Sequence, residues 1–132
     1  MQLRLMPQKG AVMGGRINWY GGWSLILVAF VVGAGIGLFF HRDDFWGGYN
    51  SWRRRLARLG HIAMAALGML NVIYSLAPAA ALAGDCLLAG AIAMPAVCFL
   101  SAWRKPLKGL FFVPVALLIA AVILVLATGR HA

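Results

Sequence analysis

The chain has 132 residues, of which 63 % are hydrophobic and 11 % charged, and it carries a net charge of +9. Soluble domains hold about 25 % charged residues, so a water-soluble fold is excluded: it would have nowhere to hide so much apolar surface. Nucleic-acid binding is excluded with it. The basic residues lie between apolar runs, where they act as topology signals and contacts to anionic lipid, and no basic domain stands apart from those runs.

Residues 1–16 read as a polar, Gly-containing N-terminal tail with Arg4, Lys9 and Arg16. Pro7, Gly10, Gly14 and Gly15 interrupt it, and no apolar core follows Arg4 at signal-peptide distance. Met13 offers an alternative start. Beyond the tail, residues 17–40, 59–84, 86–103 and 109–129 contain no Lys, Arg, Asp or Glu and account for 89 residues. About 20 apolar residues cross a hydrocarbon layer as a helix, and barrel strands would alternate over about 10. The expected fold is therefore an all-α integral membrane protein, with four transmembrane helices in an up-down bundle with short loops. Residues 17–132 form one membrane domain, with spans at 19–40, 56–77, 81–103 and 109–129.

Span 1 opens on Trp19, Tyr20 and Trp23, rings suited to the headgroup level. It carries Ala29, Gly33 and Gly37 four residues apart, a track that admits a second helix closely. Loop 1, residues 41–55, mixes Asp43 and Asp44 with Phe45, Trp46, Tyr49 and Trp52 and ends on Arg53, Arg54 and Arg55. Rings beside charges suit the membrane surface or a protein partner. The four aromatics are expected to make the main extramembrane partner contact, and the three arginines to meet lipid phosphates or an acidic partner edge.

Span 2 holds His61, Asn71 and Ser75. Its residues Ala57, His61, Ala65, Gly68, Val72 and Ser75 fall within roughly 80° of arc at 100° per residue, a small-residue face for packing. Pro78 turns the chain into span 3, where Asp85 lies one turn inside. Asp85 suits a helix start, or a cation relay shared with Asn71. Gly84, Ala91, Pro95, Cys98 and Ala102 make a second small track, and Pro95 frees a backbone carbonyl. Cys86 and Cys98, twelve residues apart on one helix, are separated by about 18 Å and cannot pair. Loop 3 is short and basic (Arg104, Lys105, Lys108), and span 4 has no polar side chain before Thr128.

Eight basic residues, Arg42, Arg53, Arg54, Arg55, Arg58, Arg104, Lys105 and Lys108, share the face of loops 1 and 3; Arg4, Lys9, Arg16 and Arg130 share the other. The bias puts loops 1 and 3 in the cytoplasm of a bacterial inner membrane and both termini in the periplasm. Three acidic residues, and no zinc spacing, nucleophile elbow or phosphate loop, leave no expected enzyme active site or metal site. The chain has no Glu, which sets it apart from the small multidrug-resistance transporters.

The reading favoured by the sequence is a non-catalytic subunit that stabilises or completes a larger bacterial membrane complex of respiratory or photosynthetic electron transfer. Its expected partners are other membrane-protein subunits and anionic lipids, and it requires no cofactor. Two alternatives stand beside it. Ala57 and His61 reproduce the Ala-x-x-x-His spacing of light-harvesting polypeptides; over these five residues the chain resembles them, which implies haem or chlorophyll held by His61. A small homo-oligomeric transporter or channel would instead use Asp85 and Asn71.

Overall fold

In hydrocarbon every backbone N–H and C=O has to find its partner inside the segment or a closed sheet. The computed structural model, which describes residues 9–77 and 80–128, meets this with helices and no strands among those residues. They are α1 (Lys9–Leu38), α2 (Trp52–Leu76), α3 (Ala81–Trp103) and α4 (Phe112–Thr128). One-turn 3₁₀ structure at Phe45–Gly47 lies in the first link, and a longer 3₁₀ stretch, Lys105–Phe111, leads into α4. All four helices are long and apolar enough to span a membrane, the fourth counted from Lys105. The protein is a four-helix, multi-pass membrane bundle. The expected turn at Pro78, and the ends carrying Arg4, Arg130 and His131, lie outside the described residues.

Two boundaries differ from the sequence reading. Helix α1 begins at Lys9, inside the stretch read as a polar, Gly-containing tail: a glycine in a helix costs about 1 kcal/mol relative to alanine but does not end it. Helix α2 begins at Trp52 rather than 56, because Ser51 caps it, its hydroxyl accepting from the Arg54 N–H at 3.2 Å. Arg53, Arg54 and Arg55 therefore lie in the first turn of a helix instead of a loop.

Helices α1, α2 and α3 pack on one another, whereas α4 approaches α3 alone among the long helices. Lipid tails are as apolar as leucine, so helices in a membrane gain little from mere apolar contact and need close fit or polar bonds. The fit is visible at each crossing. Between α1 and α2 the backbones meet at Gly22 and Gly68, where a Cβ on Gly22 would lie 2.7 Å from the Gly68 carbonyl oxygen. Between α2 and α3, Gly60 faces Cys98. Between α3 and α4, Gly90 receives Leu118. The α3 track of Gly84, Ala91, Pro95, Cys98 and Ala102 is buried throughout. The α1 track is used only in part: Ala29 is buried and Gly33 meets α2, but Gly37 has nothing within 4 Å of a Cβ position. Ala65 of α2 is half-buried.

The links sort the molecule into two ends. The α1–α2 and α3–α4 links share one end, and the α2–α3 link occupies the other. There the Tyr74 hydroxyl donates to the Ala80 carbonyl and accepts from the Ala80 N–H, tying the end of α2 to the start of α3.

Candidate functional site

Polar groups inside apolar spans are the first place to look for chemistry. Asn71 on α2 is fully buried, and the residue it meets is Asn18 on α1, which lies one residue before the expected start of span 1 and was not singled out by the sequence. The Asn18 amide donates to Asn71 Oδ1 at 2.6 Å and to the Gly84 carbonyl of α3 at 2.9 Å. Asn71 in turn donates to the Leu67 carbonyl at 2.8 Å. One amide thus fastens three helices. Gly84 has to be glycine here, since a Cβ would stand 2.6 Å from Asn18 Oδ1 and 2.9 Å from the Tyr74 ring. The signal that could have found Asn18 is its place as a lone amide inside the uncharged run that begins at residue 17.

Asp85 is not part of this cluster. It is exposed on α3 and makes no hydrogen bond or ion pair among the described residues, so it neither caps the helix nor pairs with Asn71. Ser75 donates to the Val72 carbonyl of its own helix.

His61 is half-buried, and its ring packs against α1 at Gly33, where a Cβ would be 2.5 Å from its Cε1. Its Nδ1 is buried and makes no hydrogen bond. The small residue at position 33 admits the imidazole against α1. His41 is exposed beyond the end of α1.

At the other end the first link folds back onto the helices. Arg54, the middle of the three arginines, turns inward and is only 2 % exposed. Its guanidinium donates to the Phe40 carbonyl at 2.9 Å and lies 4.6 Å from the Phe40 ring centre and 5.5 Å from that of Tyr49. Arg54 is therefore an internal fastening rather than a lipid or partner contact, while Arg53 and Arg55 face outward. Arg58 lies 4.5 Å from the centre of the same Tyr49 ring. Of the four aromatics, Phe45 and Trp46 stack on each other at 4.6 Å and are half-buried; Tyr49 and Trp52 are exposed. Trp46 meets Trp103 edge-on at 5.4 Å, and the Trp52 indole N–H donates to the Ser101 carbonyl at 2.9 Å. These two contacts bind the link and the start of α2 to the end of α3.

The arrangement binds helices to one another. The chain matches no family model, no curated protein and no solved structure.

Proposed function

We propose that the chain is a non-catalytic membrane subunit that stabilises or completes a larger membrane complex, with the basic end in the cytoplasm of a bacterial inner membrane. The observation that carries this reading is the use of the interior amides. Asn18 and Asn71 satisfy each other and the backbone, so the polar groups that a transport path or a ligand site would employ are engaged in holding helices together. Helices α1 and α4 meanwhile keep long outward faces of large apolar residues, from Leu27, Phe30 and Val31 on the first to Ile119, Ile123 and Leu126 on the last. Electron transfer remains the setting expected from the sequence, with the chain as a packing component. The packing of His61 against Gly33 weighs against a cofactor at that imidazole, and the exposure of Asp85, with no hydrogen bond to Asn71 among the described residues, weighs against a relay between them.

Extraction in mild detergent tests the proposal: the chain should co-migrate with larger membrane partners, and its deletion should loosen their assembly. Recovery as a stable lone monomer or homodimer, with every other membrane complex intact after deletion, contradicts it.

A further inference from the structure

The basic end carries a second feature, which stands whether or not the chain has a protein partner. Between the first link and the end of α3 lies a cleft of about 450 Å³, lined chiefly by Trp46, Ser51, Trp52, Arg53, Trp103 and Lys105. Small-molecule sites run from roughly 300 to 1,000 Å³. We propose that this cleft binds the phosphate headgroup of an anionic phospholipid, with Arg53 and Lys105 as its cationic arms and the tryptophans as its walls.

Three observations carry the assignment. The first is charge. No acidic residue lines the cleft, and the single ion pair among the described residues joins Arg42 to Asp44 at 3.7 Å. Arg53 and Lys105 thus have no protein carboxylate to neutralise them, and a lipid phosphodiester supplies that charge. The second is depth. Trp52 opens one membrane span and Trp103 closes another, so the cleft lies where both spans end, at the level where indole rings and lipid phosphates meet. Free phosphate would need no such position.

The third is preorganisation. Trp46 adopts a left-handed backbone (φ 52°, ψ 33°) that a bulky side chain rarely takes. Its carbonyl is held there by the Ser51 hydroxyl at 2.7 Å, and its ring rests on Trp103. Trp52 is held by the Ser101 carbonyl. The walls of the cleft are thereby fixed before any lipid arrives. A basic residue near an anionic surface contributes about five-fold to binding, so two predict roughly thirty-fold in favour of an anionic over a zwitterionic lipid.

The test is native mass spectrometry of the full chain in detergent, titrated with phosphatidylglycerol or phosphatidylcholine, with inorganic phosphate as competitor. The wild type is expected to retain phosphatidylglycerol by roughly thirty-fold over phosphatidylcholine. Arg53→Gln with Lys105→Gln should abolish that preference, while Arg55→Gln with Lys108→Gln, which removes the same charge at the same end, should preserve it. Equal loss in both pairs overturns the proposal in favour of diffuse surface charge. Displacement of the lipid by millimolar phosphate overturns it in favour of a free anion. If the site pair does not fold, the wild-type ratio and the single variant Arg53→Gln decide: a wild type indifferent to headgroup charge, or a single variant with undiminished preference, overturns it as well.

Discussion

The two ends of the molecule solve the same problem with different chemistry. Toward the α2–α3 link, three helices are joined by buried uncharged groups, the Asn18 amide donating to the Asn71 side-chain oxygen and to the Gly84 carbonyl. At the basic end the joining group is a cation, Arg54, held between aromatic faces and a carbonyl. An amide can be satisfied entirely by protein partners and so can serve within an apolar span. A guanidinium keeps its charge at any pH and is tolerable near hydrocarbon only where ring faces, carbonyls and nearby headgroups share it. Both ends are closed by fit as well as bonding, and at the amide end the fit and the bond meet at one glycine, Gly84.

That contrast can be broken from the amide end first. Gly84→Val should have the largest effect, about 3 kcal/mol, because the new methyl groups meet Asn18 Oδ1 and the Tyr74 ring in a filled interior. Unfolding of the detergent-solubilised protein by SDS titration measures it. Asn71→Leu comes next, at about 2 kcal/mol: it removes two hydrogen bonds and leaves the Asn18 amide to a single acceptor. At the basic end, Arg54→Ala should cost only about 1 kcal/mol, since the lost ring and carbonyl contacts are offset by no longer burying a cation whose Nε has no partner. Arg54→Lys should not restore it, as an ammonium lacks the flat face that stacks on Phe40. Gly37→Ala sharpens the comparison from outside both ends. With open space at its Cβ position it should leave stability unchanged or raise it by a few tenths of a kcal/mol.

The four spans were legible in the sequence because lipid imposes length and apolarity on every residue of a run, and nothing else in the chain imitates that signal. What the sequence hid was side-chain direction. Three consecutive arginines look alike on the page, yet at 100° per residue in a helix they point three ways, and only the cap at Ser51 determines that Arg54 is the one facing inward. The small-residue face predicted on α2 covers its contact with α1, at His61, Gly68 and Val72. Gly60, Met64 and Asn71, on the adjoining strip, are buried as well, because α2 packs on α3 as well as on α1. One helix wheel cannot show that a helix has two neighbours. Asn18 escaped for a related reason: a polar residue at the edge of an apolar run reads as the start of the span until its partner, 53 residues away, is known.

The central claim is that the intramembrane amides act on each other as a fastening. A double-mutant cycle of Asn18→Ala and Asn71→Ala, read by SDS unfolding, tests it most directly. The account predicts that the second substitution costs far less in the presence of the first, with a coupling of about 1 kcal/mol. Strictly additive losses would show that the two side chains do not bond, and that Asn71 is available for some other role.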